Sequence, residues 1–168
     1  MYGPPGAGRT TFTAWYTYSN YGKVFWVSVF EDEESFRRNM AAFGYDFGER
    51  LIFWEAPLAG VEPFFTTLLE AVARERPEAL VIDSITEILA AGSGLDVLHN
   101  ILYRTVKQWG IDVFLTAEKE VATKITYVAD NVIERSTQRI AALRGSRYAD
   151  LPGRHRRTYS HFAVRRLD

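Results

Sequence analysis

The sequence predicts an α/β fold: a mostly parallel sheet flanked by helices, with antiparallel strands at its C-terminal edge. Three observations carry this. Short apolar runs alternate with helix-patterned segments from Thr10 to Thr116. The opening MYGPPGAGRTT sets a glycine-rich turn directly before a helix start. From Val128 onward the pattern changes to short runs without a long helical repeat. Strand–helix alternation produces parallel pairing, because each crossover helix must pack back onto the sheet it left.

The elements follow in order. Thr10 to Asn20 reads as a helix starting at the glycine-rich turn. Lys23 to Val29 (KVFWVSV) is a continuous apolar and aromatic run, as a strand buried on both faces requires. Asp32 is placed to N-cap a helix that runs to about Phe43 and stops at Gly44. Leu51 to Glu55 (LIFWE) is the second strand, and Glu62 to Arg76 is an amphipathic helix ended by Pro77. Leu80 to Asp83 (LVID) is the third strand, followed by helical sequence from Ile85 to Trp109. Ile111 to Thr116 (IDVFLT) is the fourth. The runs NVIER, RIAAL and TYSHFAV are the expected antiparallel edge strands. No internal repeat or linker divides the chain, so residues 1–168 are expected to form one domain.

Composition restricts the function classes. A chain of 168 residues can bury one sizeable core. Its 47% apolar and 24% charged content is ordinary for a globular protein, and a net charge of −1 gives no global bias toward nucleic acid or membrane. Absence of cysteine excludes disulfides and thiolate metal sites. No apolar run approaches a membrane span, and no secretion-signal pattern opens the chain, so a cytoplasmic domain is expected.

Gly3, Gly8, Arg9 and Thr10 match the phosphate-loop pattern G-x-x-x-x-G-K-[ST] except that arginine replaces lysine. Glycines let successive backbone N–H groups converge on phosphate oxygens, and the following helix adds its positive dipole end. The candidate nucleotide-binding residues are Gly3, Pro4, Pro5, Gly6, Ala7, Gly8, Arg9, Thr10 and Thr11. The Thr10 hydroxyl is the candidate magnesium ligand within the loop. A second ligand must come from a carboxylate at the end of another buried strand, and LVID supplies Asp83. An aspartate there is also able to cap the next helix. Its order and separation from the loop favour metal work. Thr116 ends the fourth strand, where a polar side chain is able to sense a terminal phosphate or attacking water.

These segments together resemble the KaiC-like branch of the RecA superfamily of ring-forming ATPases. GPPGAGRTTF resembles that family's phosphate loop, VFWVSVFEDEESFRRNMAAFGYDF its strand and acidic helix, and ALVIDSITEIL its metal-binding strand. VADNVIE resembles a late strand of the family, and LRGSRY its K-M-R-G-[ST]-x-H signature. The resemblance covers nearly the whole chain. It implies a RecA-like fold, ATP and Mg2+ as cofactors, and a homo-oligomeric ring in which Arg144 faces the nucleotide of a neighbouring subunit.

Three positions depart from the family pattern. The family's general base falls on Phe30, which cannot accept a proton; the adjacent acidic position is Glu31. Arg9 stands for the loop lysine, and a planar, forked guanidinium does not occupy the same enclosed volume as an ammonium. Ala142 stands for the lysine of the late signature, whereas Arg144 remains. The candidate catalytic residues are thus Glu31, Thr116 and Arg144, and the candidate metal ligands Thr10 and Asp83. Glu33 and Glu34 lie in the first turn of a predicted helix, where acidic groups complement the dipole.

In the family a strand runs into the phosphate loop from the middle of the sheet. Met1 and Tyr2 are expected to be its last residues, which implies a trimmed or misassigned start. The segment from Arg135 to Asp168 carries nine arginines against two acids. It reads as a solvated or intersubunit face, with nucleic-acid contact as the alternative. The expected function is an ATP-binding domain with weak or lost hydrolysis and a regulatory role. Two alternatives stay open: a competent ring ATPase using Glu31, and a non-catalytic scaffold or DNA-associated module using the basic face.

Overall fold

The strand Val24–Ser28 (β1) is buried along its whole length, and its alternating side chains divide the core into two layers. In the computed structural model, which describes residues 1–56, 60–90, 98, 100, 106–126, 129–138 and 159–166, the first helix is Arg9–Asn20 (α1). After β1 come Glu33–Ala41 (α2), Leu51–Glu55 (β2), Val61–Glu75 (α3), Ala79–Asp83 (β3) and Ile85–Ala90 (α4). Asp112–Leu115 (β4), Lys119–Ile125 (α5), Asn131–Gln138 (β5) and Tyr159–Arg166 (β6) complete the described elements.

Four strands form a parallel sheet in the order β2-β1-β3-β4, and β5 pairs antiparallel with β6. This is the α/β architecture expected of the alternating pattern. On one face, Val24 and Trp26 of β1 and Ala79 and Val81 of β3 pack with Ala14 of α1 and Phe36 and Met40 of α2. On the other, Phe25, Val27, Leu80 and Ile82 pack with Phe64, Phe65, Leu68 and Val72 of α3 and with Ile85 and Ile88 of α4. Two-residue periodicity sends adjacent side chains to opposite faces, so a run without polar interruption is what two covering layers need.

Local signals set the boundaries. Asp32 caps α2, its side chain accepting from the Ser35 N–H at 2.8 Å and from the Ser35 hydroxyl at 3.0 Å. These bonds hold the Asp32 carboxyl below its ordinary pKa. The helix ends two residues before the expected Phe43, in a tight turn where Gly44 takes a positive φ of 84°. Helix α3 ends at Arg76 in the left-handed region, just ahead of Pro77. Helix α5 was not indicated by the sequence pattern. The run RIAAL and most of the expected helical stretch 91–105 lie outside the described residues, as do Ala142 and Arg144.

The two sheets meet at the start of the chain. Tyr2 bridges in parallel to Ala117, just past β4, and to Glu134 in β5. Its N–H donates to the Ile133 carbonyl at 2.9 Å, and its carbonyl accepts from the Arg135 N–H at 2.8 Å. On the other side, Ala117 N–H donates to Met1 O at 2.9 Å and Gly3 N–H to Ala117 O at 3.4 Å. The residues leading into the glycine-rich loop are therefore bonded on both flanks.

Trp26 sits at the centre of the α1/α2 layer, fully buried, with its ring centroid 4.6 Å from that of Phe36. Trp26→Ala is expected to lower unfolding stability by about 3–5 kcal/mol. A shift of that size in the urea unfolding curve checks it.

Candidate functional site

The carboxyl ends of the parallel strands and the glycine-rich loop share one edge of the molecule. The loop starts at Gly3, turns through an Ala7 N–H to Pro4 carbonyl bond of 3.1 Å, and delivers Gly8 as the N-cap of α1. Gly6 and Gly8 both have φ of +74°, a region that side-chain-bearing residues rarely adopt. Pro4, Pro5 and Gly6 are exposed, Ala7 is buried, and Arg9, Thr10 and Thr11 are half-buried in the first turn. Among the described residues no side chain caps the α1 N-terminus, and no acidic residue lies in its first turn. The first amides of α1 thus present positive partial charge without a side-chain acceptor. Nη1 of Arg9 is buried and has no hydrogen-bond partner among the described residues.

Each glycine has its own reason. A Cβ on Gly3 would overlap the carbonyl oxygen of Arg135, so this position is set by the close approach of β5. Among the described residues a Cβ on Gly6 would meet nothing within 4 Å, which leaves backbone conformation and an open cradle as the grounds for glycine there. A Cβ on Gly8 would stand 3.0 Å from Arg135 Nη1.

Asp83 and Thr116 are brought together. Asp83 ends β3 and Thr116 follows β4, and the Thr116 hydroxyl donates to Asp83 Oδ1. Their backbones are anchored as well: Thr116 N–H donates to Ile82 O at 3.1 Å, and Val29 N–H to Asp83 O at 3.1 Å. Thr116 thus orients the carboxylate proposed from sequence as a metal ligand. The peptide bond between Asp83 and Ser84 is cis.

Phe30 and Glu31 follow β1 on the same edge. Phe30 is 76% exposed, so its ring serves no part of the core. Glu31 is half-buried and engaged: its N–H donates to the Ser28 hydroxyl at 2.9 Å, and its Oε1 accepts from Asn39 Nδ2 at 2.6 Å. Glu33 pairs with Arg37 at 2.8 Å, and Glu34 with Arg38 at 3.7 Å, both one turn along α2. They act as helix-face charges, as their sequence position suggested.

One residue of the site was not singled out from sequence. The Arg135 guanidinium crosses from β5 to the loop, where its Nη1 donates to the Gly8 carbonyl and its Cζ lies 5.6 Å from the Phe12 ring centroid. Burial lowers its pKa from the usual arginine value. Among the described residues, no helix is long and apolar enough to cross a membrane, and no cluster of three or more His, Cys, Asp or Glu occurs.

No protein-family model and no curated protein matches the chain in sequence. Among solved structures, the chain is similar to the crystal structure of a KaiC-like protein from the hyperthermophilic archaeon Pyrococcus horikoshii. The TM-score is 0.74 with 21% sequence identity, over 99% of this chain and 76% of that one. The likeness shows that the two chains share a fold. It is the fold that the resemblance of the sequence motifs implies.

The steric reading of Gly3 has a direct check. Gly3→Ala must displace either the loop or the β5 backbone, and is expected to lower stability by about 1–3 kcal/mol in denaturant unfolding.

Proposed function

We propose that this domain binds ATP or ADP with magnesium at the Gly3–Thr11 loop and hydrolyses ATP slowly or not at all. The observation that carries the binding half is the buried Nη1 of Arg9, which has no partner among the described residues and lies at the first residue of a helix that no described side chain caps. A buried guanidinium nitrogen without an acceptor is destabilising, and a phosphate oxygen would satisfy it. The open cradle at Gly6 fits the same group. Thr10 and Asp83 would hold the magnesium, one through its hydroxyl and one through a carboxylate oriented by Thr116. When bound, magnesium neutralises phosphate charge and fixes the orientation of the phosphate chain.

The hydrolysis half rests on what surrounds the position of an attacking water. Phe30 offers no acceptor, and Glu31 gives one carboxylate oxygen to Asn39 at 2.6 Å. That oxygen already has a donor, and the contact fixes the orientation of the carboxylate toward Asn39. This arrangement favours a nucleotide-dependent regulatory domain over a competent ATPase built on Glu31. The KaiC-like fold is consistent with assembly into a homo-oligomer, with Arg144 as the residue proposed to reach a neighbour's nucleotide.

Calorimetry on the folded protein is expected to show magnesium-dependent nucleotide binding that Thr10→Ala and Asp83→Ala each weaken. A folded protein that binds no nucleotide would refute the binding half. Restoring the chemistry is expected to raise turnover. Phe30 is exposed, so Phe30→Glu combined with Arg9→Lys introduces a base without disturbing the core. General-base catalysis is worth roughly a hundred- to ten-thousand-fold, and a steady-state phosphate-release assay reads the change. Fast turnover by the unaltered chain, abolished by Glu31→Gln, would establish the competent ATPase instead.

A further inference from the structure

One residue outside the loop touches both of its ends. The Arg135 N–H donates to the carbonyl of Tyr2, and the Arg135 carbonyl lies where a Cβ of Gly3 would be. The same residue's side chain runs to the far end, where Nη1 donates to the Gly8 carbonyl. That carbonyl also accepts the first helical bond of α1, from the Phe12 N–H at 3.0 Å, and the guanidinium lies over the Phe12 ring. Arg135 is buried, so these contacts are shielded from competing water.

We infer that Arg135 is a positioning residue for the phosphate loop, a brace that holds Gly3 and Gly8 in place so that the intervening amides face an anion before one arrives. A stretch with glycine at positions 3, 6 and 8 has many accessible backbone states, and fixing it at the moment of binding would cost affinity. A brace supplied by the neighbouring strand removes that cost in advance, which is how preorganisation strengthens binding. The consequence for affinity rests on the proposed nucleotide reading; the consequence for loop order does not. Because the brace stands on β5, the β5–β6 ladder and the loop are mechanically one unit, and displacement of β5 would loosen the site.

The test compares the whole chain with Arg135→Met, which keeps an apolar stem over Phe12 and removes the donor to Gly8. Amide hydrogen exchange is measured without nucleotide, followed by calorimetry with magnesium-ATP. The variant is expected to exchange faster at Ala7, Gly8, Arg9 and Thr10, with Val27 and Val81 unchanged in the sheet core. Its affinity for magnesium-ATP is expected to fall about tenfold or more, the scale of a buried charge-assisted hydrogen bond. Should Arg135→Met not fold, Arg135→Lys serves the same comparison, because it keeps the charge and loses the fork; a smaller change of the same sign is expected. Unchanged loop exchange in the folded variant overturns the brace, whether or not nucleotide binds. A loosened loop with unaltered nucleotide affinity also overturns it as a positioning device. A loosened loop in a protein whose unaltered form binds no nucleotide upholds the brace and rejects the nucleotide reading.

Discussion

A single row of backbone hydrogen bonds runs across the carboxyl ends of the strands, and every described candidate residue of the site is referenced to it. Ala56 N–H donates to Ser28 O at 2.8 Å, Val29 N–H to Asp83 O at 3.1 Å, and Thr116 N–H to Ile82 O at 3.1 Å. The row continues through Ala117 to Met1 and Gly3, and through Tyr2 to Ile133 and Arg135. Backbone donors and acceptors in a sheet must be paired, so this registry allows little adjustment of one strand end against another. Phe30 and Glu31 leave the row from β1, Asp83 from β3, Thr116 from β4, the glycine-rich loop from Gly3, and Arg135 from β5. Ligand sites of open α/β sheets form outside the carboxyl ends of strands for this reason: the scaffold supplies rigidity, and the loops supply chemistry.

In the proposed reading, the chain keeps the binding framework along that row while the positions that carry hydrolysis differ from those of the family it resembles. On that reading the Asp83–Thr116 pair and the start of α1, which has no side-chain cap among the described residues, supply what a magnesium–phosphate group needs. Phe30 offers no proton acceptor, and one carboxylate oxygen of Glu31 is bonded to Asn39, which is the ground for proposing slow or absent hydrolysis. Binding depends on a fixed array of donors, whereas hydrolysis adds a base of the right pKa at the right place. The first requirement can therefore outlive the second. The proposal of nucleotide binding without efficient turnover takes its physical content from that separation.

Much of this was legible in the sequence because it is encoded locally. The LVID run ends in the aspartate that sits at the end of β3, and Asp32 caps the helix it precedes, because burial and capping follow from neighbours in the chain. The second strand, Leu51–Glu55, has the limits its LIFWE pattern suggested. Features that depend on distant pairing were not legible. Arg135 is one of nine arginines in the C-terminal segment, and only the pairing of Tyr2 with β5 sets its side chain against Gly8. The bond from Asn39 to Glu31 spans the α2 N-terminus and required the turn after β1 to be known. Gly3 read as a motif position, yet its steric ground is the carbonyl of a residue far along the chain.

The proposed nucleotide reading requires the Gly3–Thr11 loop to be an anion site preformed at the end of the sheet. Amide chemical shifts followed by NMR during titration with magnesium-ADP test it most directly. Saturable shifts at Gly6, Gly8, Arg9 and Thr10 are expected, with Gly22 and Glu78 at the opposite end of the sheet unmoved. Loop amides that stay in place while the nucleotide perturbs another surface, or perturbs none, would contradict the account.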